Sequence, residues 1–414
     1  MELRPGYKLS QLGPIPDDWQ VVHLSELGET KRGASSQYIR YRNSGGVRLI
    51  RINDFFENNA VFVEPTDKMM TFCITERDLL FAGTGASAGA SFLPEVEWIG
   101  LPHSYNAPRI RVFQNQCKEY LLYSLQSKYV LRQQKAWFVG NAQPFLDTKA
   151  ISGFSIAIPP NVGEQCTIAG ALGDVDALLA ELEKLIAKKR DLKQAAMQEL
   201  LTGKKRLPGF KGEWAAKTLK QLGDISGAGV DKKIRPNEVA VRLVNYLDVY
   251  KRDFIYSRDL YHIVSAPLEQ ANRCLVKKGD VFFTPSSEVP NDIGVSAVAM
   301  EDIPDAVYSY HVVRLRLPED WDLKYRAYAF KSRQFLDQAE RLCEGSGIRY
   351  VLTQARFRQL TVLVPPTTQE QAAIGTILFD MDAEIAALEQ RREKTYALKQ
   401  GMMQELLTGQ TRLV

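Results

Sequence analysis

The sequence contains few of the residues that build metal sites and disulfide frameworks. Its 414 residues include only 4 histidines and 5 cysteines, and no two cysteines form a Cys-x-x-Cys pair. Widely spaced cysteines in odd number argue against a disulfide scaffold, and the scattered histidines offer neither a ligand cluster nor a Cys–His nucleophile pair. We therefore expect reduced thiols and no metal bound by this chain.

Long apolar runs and an excess of one charge are also missing. No run approaches the ~18 residues that a membrane-spanning helix requires, and the first residues lack the apolar core of a signal peptide. Lysine and arginine number 53 against 49 aspartates and glutamates, so the formal net charge is only +4. That charge permits nucleic-acid binding but does not by itself indicate it. The sequence predicts a soluble, cytoplasmic protein.

The chain also lacks a convincing catalytic motif. It has no GxxxxGK[ST] phosphate loop, and Phe81-Ala82-Gly83-Thr84-Gly85 matches the FxGxG pattern of adenosylmethionine-dependent methyltransferases only in isolation. An adenine methyltransferase would also need Asn/Asp-Pro-Pro-Tyr/Phe, whereas the Pro-Pro pairs at 159–160 and 365–366 lack the polar and aromatic neighbours. We interpret the glycine match as accidental, and no carboxylate nuclease site stands out.

What the chain does contain is an internal repeat. Residues 158–207 match residues 364–413 without a gap, at 25 of 50 positions. Weaker matches cover the rest of the two halves, with slightly fewer residues between the matching positions. In one of them, Ser104-Tyr105 matches Ser309-Tyr310. Each half of the chain is therefore one variable globular unit followed by one constant segment.

Each constant segment predicts one long helix. Apolar residues recur at alternating spacings of four and three, which is a heptad seam. Glycine ends both patterns, at Gly203 and Gly409, and residues 165–202 would form a rod of about 57 Å at ~1.5 Å per residue. The predicted seam residues are Ile168, Leu172, Val175, Leu179, Leu182, Ile374, Leu378, Met381, Ile385 and Leu388.

Pairing these two helices would bury both seams. An antiparallel pair keeps the two variable units apart and relates the halves by a pseudo-twofold axis, whereas a parallel pair would place both units at one end. Two alternatives stay open on the sequence alone: pairing between two chains, and a helix that packs on its own globular unit.

The variable units, residues 19–157 and 214–363, have the pattern of α/β domains. Strand candidates are residues 47–52, 79–81, 109–113, 242–247, 281–283 and 311–317. Helix candidates are residues 118–133 and 322–339, at matching places in the two halves. We predict an α/β (α+β) tandem duplication, in which two globular domains are joined by two long helices that form an antiparallel coiled coil. The predicted boundaries are 1–160, 161–207, 208–366 and 367–414.

This organisation resembles the DNA-specificity subunit of type I restriction-modification systems. The resemblance covers essentially the whole chain and rests on the duplicated layout and on two shared motifs. Pro-Pro-x-x-x-Glu-Gln begins each long helix, and Gln-Glu-Leu-Leu-Thr-Gly ends it. It implies that each variable unit is a target recognition domain that reads half of a split DNA site. The helix pair would then act as a spacer between the half-sites.

The resemblance also implies partners. Two methyltransferase (modification) subunits would dock on the helices and adjoining surfaces, bind adenosylmethionine and methylate adenine. Restriction subunits would join them to form an ATP- and magnesium-dependent translocase and nuclease. This chain itself would bind no cofactor and have no catalytic activity, in agreement with the missing motifs.

Glycine-rich polar loops between the strands provide the candidates for DNA contact. Glycine lets backbone N–H groups approach phosphate, while basic and amide side chains make bidentate base contacts; the alternative is that such loops are ordinary turns. The candidates for the first half-site are Arg32, Ser36, Thr84, Ser87, Asn141 and Gln143. The candidates for the second half-site are Lys232, Lys233, Ser286, Ser287, Arg349 and Gln354.

Two other functions stay open on the sequence. The first is a DNA methyltransferase or nuclease in its own right, and binding of adenosylmethionine to the isolated chain would favour it. The second is a coiled-coil scaffold for protein partners, and absence of sequence-specific DNA binding with any partner would favour it.

Overall fold

The two predicted long helices are present in the computed structural model, which describes residues 3–57, 59–138 and 144–413. They span Val162–Leu200 and Thr368–Leu406, and both contain 39 residues. Each is therefore about 58 Å long at ~1.5 Å per residue. Gly203 and Gly409 follow the last helical turns with φ of 67° and 68°. This left-handed conformation ends a helix, and glycine adopts it without strain.

The chain divides into two compact units, and each unit contains parts of both long helices. The first unit comprises residues up to 183 together with residues from 391 onwards, and the second comprises residues 184–390. The boundaries predicted from the repeat, which separate each long helix from the globular domain before it, remain a prediction. In the structure, the two ends of each helix belong to different units.

The strands of the first unit are short, and they pair with one another antiparallel. Its strands are Tyr7–Ser10, Gly13–Pro16, Gln20–His23, Gly28–Lys31, Tyr41–Arg42, Val47–Arg48, Phe62–Val63, Asp78–Phe81, Ser91–Phe92, Arg109–Val112 and Ser155–Ile158. Its shorter α-helices are Asp67–Met70, Lys118–Leu125, Lys128–Phe138 and Thr148–Ser152. The central sheet has the order Gly28–Lys31, Arg109–Val112, Asp78–Phe81, Ser91–Phe92, with every neighbouring pair antiparallel.

The central sheet of the second unit has a fifth strand, Phe254–Ile255, which pairs parallel with Ser296–Ala299, and this unit also contains an additional four-stranded sheet. Its strands are Ala215–Thr218, Asp224–Ser226, Val239–Val244, Phe254–Ile255, Ile263–Ala266, Leu275–Val276, Asp280–Phe283, Ser286–Ser287, Ser296–Ala299, Ile303–Tyr308, Val313–Arg316, Glu344–Ser346, Arg349–Val351 and Thr361–Val364. Its shorter α-helices are Leu219–Leu222, Tyr246–Tyr250, Leu268–Arg273, Leu323–Tyr328, Arg333–Leu342 and Gln354–Phe357. The additional sheet is mixed, because Val239–Val244 runs parallel to Ile303–Tyr308 and antiparallel to Ile263–Ala266.

Both domain helices predicted as continuous are split in two. Residues 118–133 were expected to form one helix, but Lys118–Leu125 ends before Lys128–Phe138 begins. In the second unit, Leu323–Tyr328 and Arg333–Leu342 are likewise separate. A serine starts the second helix in each case. Ser127 accepts a hydrogen bond from the Val130 N–H, and Ser332 accepts one from the Phe335 N–H.

The start of one long helix and the end of the other lie in the same core. In the first unit, Ile168 and Leu172 belong to one apolar cluster with Met403 and Leu406. In the second unit, Ile374 and Leu378 share a cluster with Met197 and Leu200. The two helices of one chain therefore run antiparallel within each unit. These seam residues also contact their own domain, since the clusters include Tyr120 and Tyr325.

Burial varies along the predicted seams. Six of the ten seam positions are buried, namely Ile168, Leu172, Leu182, Ile374, Leu378 and Ile385. The other four are half-buried, namely Val175, Leu179, Met381 and Leu388. The role of these residues as a helix–helix seam remains a prediction.

A three-residue contact ties the long helices to the first domain. Lys399 Nζ lies 2.6 Å from Asp176 Oδ1, and the Tyr123 hydroxyl donates a 2.8 Å hydrogen bond to Asp176 Oδ2. The ammonium group also lies 5.3 Å from the centroid of the Tyr123 ring, within reach of a cation–π interaction. Burial and the hydrogen bond to Asp176 both raise the pKa of Tyr123. We call Lys399, Asp176 and Tyr123 the first triad.

The second unit repeats this arrangement. Lys193 pairs with Asp382, and the Tyr328 hydroxyl donates a 2.6 Å hydrogen bond to Asp382 Oδ2; we call these three residues the second triad. Asp253 adds to it by pairing with both Lys331 and Lys193. Burial opposes ionisation of Asp253, but the two ammonium groups hold its pKa below the usual value.

The Glu-Gln motif at each helix start has a separate structural role. Glu164 is buried and accepts two hydrogen bonds from Arg412. One runs from Nε to Oε1, and the other runs from Nη2 to Oε2 over 2.7 Å. Glu370 accepts the equivalent contact from Arg206, with distances of 2.6 and 2.8 Å. Each arginine lies just beyond the end of the other long helix. We call these two pairs the arginine clamps.

The glutamine of each motif holds the first helix of its own domain. Gln165 Oε1 accepts a 3.0 Å hydrogen bond from the Cys117 N–H, and Gln371 Oε1 accepts a 3.2 Å bond from the Asp322 N–H. Cys117 and Asp322 are the residues that precede Lys118–Leu125 and Leu323–Tyr328. The repeated Glu-Gln pair therefore joins three segments of each unit.

We expect Asp176→Asn to lower the free energy of unfolding by about 1–2 kcal/mol, because it leaves the largely buried ammonium group of Lys399 without its partner. Lys399→Met should cost about 1 kcal/mol, because the side chain of Asp176 is 39% exposed and keeps its hydrogen bond from Tyr123. The double variant should cost about 1 kcal/mol less than the sum of the single variants. Urea unfolding followed by circular dichroism measures all three values. Lys394→Met, at an exposed position of the same helix, is the control. Strictly additive losses would contradict the contact.

Candidate nucleic-acid interface

Three predicted DNA-contacting side chains of the first unit line one open cleft. The cleft has a volume of about 1150 Å³, and Ser36, Thr84 and Ser87 line it together with Tyr105 and Asn106. These residues come from three separate loops, so the fold collects loops that are distant in sequence. The lining combines aliphatic and aromatic side chains with polar ones, and the polar and aromatic groups can contact bases and sugars.

Arg32 lies beside this cleft between two exposed aromatic rings. Its guanidinium carbon is 4.1 Å from the centroid of Tyr105 and 4.9 Å from that of Phe145. Stacking restricts the guanidinium without using its N–H donors, so they stay available for a ligand. Asn141 and Gln143, the other two candidates of this half, lie outside the described residues.

Backbone pairing fixes the loop that carries Arg32. The Ala34 N–H donates to the His103 carbonyl over 2.8 Å, and the Tyr105 N–H donates to the Ala34 carbonyl over 2.9 Å. A Cβ atom at Gly33 would overlap the His103 carbonyl oxygen, so this approach requires glycine. His103 is itself buried, and its Nδ1–H donates to the Ala107 carbonyl over 2.6 Å. Burial lowers the pKa of His103 to about 4, which keeps the imidazole neutral.

The second unit builds the same turn with different side chains. Val230 pairs with Ser309 as Ala34 does with Ser104, and a Cβ atom at Gly229 would overlap Ser309. The aromatic residue after this serine, Tyr310, lies against His311 with 3.9 Å between ring centroids. The frame of the loop is therefore common to both units, whereas the exposed groups differ.

Basic residues of the second unit gather beside this turn. Arg349 donates a 3.1 Å hydrogen bond from Nη2 to Ser286 Oγ. Burial lowers the pKa of His311, and the nearby charges of Lys232 and Arg349 lower it further. Two of the six candidates of this half, Ser286 and Arg349, are therefore in contact, and a third, Lys232, lies near enough to His311 to affect its pKa.

The remaining three candidates of the second half are placed differently. The Ser287 hydroxyl contacts Asp292 Oδ2 at 3.3 Å and so belongs to its own turn. Lys233 is exposed, and its backbone N–H donates to Asp231 Oδ1 over 3.1 Å. Gln354 is exposed at the start of a short helix and approaches Gly227. DNA contact by all twelve candidates remains a prediction.

The arginines that repeat in the central strands are structural. Arg111 forms two 2.9 Å hydrogen bonds to the buried Asp78, and Arg316 forms two 2.7 Å bonds to the buried Asp280. Their charges are satisfied inside the protein. Repetition of a basic residue therefore does not indicate a DNA contact here.

The FxGxG match does not form a cofactor site. Strand Asp78–Phe81 precedes the glycines, but the next regular element is strand Ser91–Phe92 and not a helix. Gly83 instead packs against Asn106 and Pro108. The interpretation of this motif as accidental agrees with the structure. Among the described residues, no group of three histidine, cysteine or acidic side chains is arranged to hold a metal ion.

Several residues beside the candidate loops were not among the sequence-based candidates. They are Tyr105, Asn106, Phe145, Tyr310, His311 and Ile348. The repeated Ser-Tyr pair was visible in the sequence, but it indicated only the common frame. Its position beside the basic loops depends on the fold. None of the helices in the described part of the chain is long and apolar enough to span a membrane.

Comparison with known proteins gives the family of this chain. Residues 16–194 and 211–395 each match the type I restriction modification DNA specificity domain. The type I restriction enzyme MjaVIII specificity subunit of Methanocaldococcus jannaschii is 25% identical over 217 residues. That match covers 49% of this chain and 49% of the relative, about half the length of each.

Two solved structures share the fold over almost the whole chain. One is the type I restriction-modification system S subunit from M. genitalium, with a TM-score of 0.57, 16% identity and coverage of 98% of this chain and 99% of the other. The second comes from a study of complex assembly and conformational transition of the type I R-M system. It also has a TM-score of 0.57 and 16% identity, and the match covers 96% of this chain and 99% of the other. Since the two family matches together cover most of the sequence, the chain belongs to the type I restriction-modification DNA specificity family and carries its characteristic domain in two copies.

Proposed function

We propose that this chain is the DNA-recognition subunit of a type I restriction-modification complex, and that each globular domain reads one half of an asymmetric bipartite site. The observation that carries the proposal is the duplicated loop frame. Gly33-Ala34 beside Ser104-Tyr105, and Gly229-Val230 beside Ser309-Tyr310, hold polar and basic loops in equivalent positions. Equivalent frames with different side chains suit two related readers of two different sequences.

The exposed chemistry of each loop set suits DNA. Arginine and lysine neutralise phosphate and make the bidentate contacts that distinguish guanine. Serine, threonine and asparagine donate to phosphates and base edges, and exposed aromatic rings stack on sugars or bases. The first unit offers Arg32 with Tyr105, and the second offers Lys232 and Arg349. The modest net charge of +4 is adequate if partner subunits share the neutralisation of phosphate.

We further propose that the long helices set the spacing of the half-sites and dock two methyltransferase subunits. The arginine clamps and the two triads fix the helix ends to the domains. Apolar side chains also stay exposed along the helices, as expected for surfaces that a partner covers. These side chains are Leu178, Leu185, Leu192, Ile377, Tyr396 and Leu398.

In this proposal all catalysis belongs to partners. The methyltransferase subunits bind adenosylmethionine and methylate adenine, and the restriction subunits use ATP and magnesium for translocation and cleavage. This chain contributes recognition, with residues from both domains directed at double-stranded DNA. Its family is a DNA-recognition subunit and not a catalytic one.

Exchange of one domain should change one half of the methylated motif. We expect long-read methylome sequencing to find a split adenine-methylation motif that disappears when the gene is deleted. Replacing residues 19–157 with the equivalent domain of another family member should alter one half-site and leave the other unchanged. A methylome that does not respond to deletion would contradict the proposal.

Lengthening both helices should lengthen the gap between half-sites. Insertion of seven helical residues after Glu183 and after Glu389 adds about 10 Å to each helix at ~1.5 Å per residue. Because B-DNA rises about 3.4 Å per base pair, we expect the gap to grow by about three base pairs. Both half-site sequences should stay the same and serve as the internal control. An unchanged gap in an active enzyme would exclude the spacer role.

Arg32→Ala should weaken only the first half-site. We expect about tenfold weaker binding of the complex to its site, the loss typical of one good base or phosphate contact. Relaxed methylation should follow in the half-site that the domain exchange assigns to residues 19–157. Lys31→Ala is a matched control, because Lys31 pairs with Glu29 at 2.6 Å. Equal losses in the two variants would argue against a specific role of Arg32.

A further inference from the structure

A slender β-hairpin carries an exposed isoleucine at the candidate interface of the second unit. Glu344–Ser346 pairs antiparallel with Arg349–Val351, which also pairs with Ser286–Ser287. Ile348 lies between the two hairpin strands and is 88% exposed. Isolated exposed apolar side chains are common and need no explanation by themselves. The shape and charge of the surroundings make this one informative.

The tip of the hairpin is narrow because small residues build it. Gly345, Ser346 and Gly347 precede Ile348, and Gly347 adopts a φ of 49° in the turn. A Cβ atom at Gly345 would overlap the Arg349 carbonyl oxygen, so the two strands approach closely. The major groove of B-DNA accepts a two-stranded β-ribbon of this kind, whereas the minor groove is about half as wide.

The charge around the tip favours DNA over a protein partner. Arg349 follows Ile348 directly, and Lys232 lies close enough to act on the same histidine, His311. The carboxylate of the hairpin, Glu344, is paired with Arg356. The exposed apolar group is therefore followed by an arginine that forms no ion pair with any residue of the described ranges, which is the pattern expected where a polyanion binds.

We propose that Ile348 is a specificity-determining residue that contacts the C5-methyl group of a thymine in the major groove, next to the base pair that Arg349 contacts. The thymine methyl is the apolar group among the hydrogen-bonding groups of the major-groove edges. A branched aliphatic side chain can recognise it only by apolar contact. This inference rests on the proposed function, because it requires the second domain to read DNA.

The test uses deoxyuridine, which differs from thymidine only by the absence of that methyl group. The full chain in complex with its methyltransferase subunits is titrated against fluorescein-labelled duplexes carrying its methylome-defined site, at one salt concentration. Each thymine of the second half-site is replaced in turn by deoxyuridine. We expect one replacement to weaken binding about fourfold, the effect of losing one buried methyl group.

The variant Ile348→Ser should remove this discrimination. It should bind the thymine duplex about fourfold more weakly than the native chain, and it should bind thymine and deoxyuridine duplexes equally at that position. The substitution lies at an exposed tip, so folding should not change. Val96→Ser is the matched control, since Val96 is 91% exposed in the first unit; it should keep the native preference.

The possible failures are distinguishable. A native complex that does not prefer its methylome-defined site over a scrambled duplex would refute the proposed function itself. A complex that keeps this preference but ignores every deoxyuridine replacement refutes only the contact by Ile348. A uniform loss in Ile348→Ser on all duplexes also overturns the methyl contact. A second half-site without an A·T pair would refute it as well.

Discussion

The arginine clamp is the interaction on which both units depend. A buried carboxylate without a partner is strongly destabilising, and Glu164 and Glu370 are 4% and 1% exposed. The partner of each glutamate follows the end of the other long helix, because Arg412 pairs with Glu164 and Arg206 pairs with Glu370. Each constant segment must therefore provide both a glutamate and an arginine. This reciprocal requirement is a physical reason for the near-identity of the two segments.

The structure separates the residues that hold a loop from those that are free to meet a ligand. Gly33 and Gly229 allow a close backbone approach, and the buried His103 keeps its turn fixed in the first unit. The exposed side chains on these loops, such as Arg32 and Lys232, occupy different positions in the two copies of the repeat and have different neighbours. A frame of this kind lets exposed residues change without loss of the fold. It accounts for a repeat that is strong in the helices and faint in the domains.

The sequence was sufficient for the features that repeat or have a long period. The heptad pattern and the closing glycines predicted two helices whose observed length is 39 residues each. The splitting of the domain helices depended on single serine caps, at Ser127 and Ser332, that a periodicity does not reveal. The sequence also could not show that the two long helices pair within one chain. A heptad seam does not specify whether its partner helix belongs to the same chain or to a second copy.

The candidate site was harder to predict for a related reason. Loop composition led to Arg32 in the first unit and to Lys232 and Arg349 in the second. Arg32 lies beside the open cleft of its own unit, and Lys232 and Arg349 lie near His311 in theirs. Composition could not show that the Ser287 hydroxyl is hydrogen-bonded to Asp292 within its own turn. It also could not show that Tyr105, known from the repeat, would lie under Arg32. Both outcomes depend on contacts between segments that are distant along the chain.

The first triad and the arginine clamp between Arg412 and Glu164 join residues that are far apart along the chain, which has a consequence for biosynthesis. The core of the first unit includes Met403 and Leu406, and Tyr7 donates a hydrogen bond to the Gly409 carbonyl across 402 positions of sequence. The ribosome releases the N-terminal strands long before these partners exist. The second unit, by contrast, is continuous from residue 184 to 390 and is complete in sequence earlier. The domain whose strands are synthesised first is therefore the one whose core is completed last, because that core needs residues that follow the whole second unit.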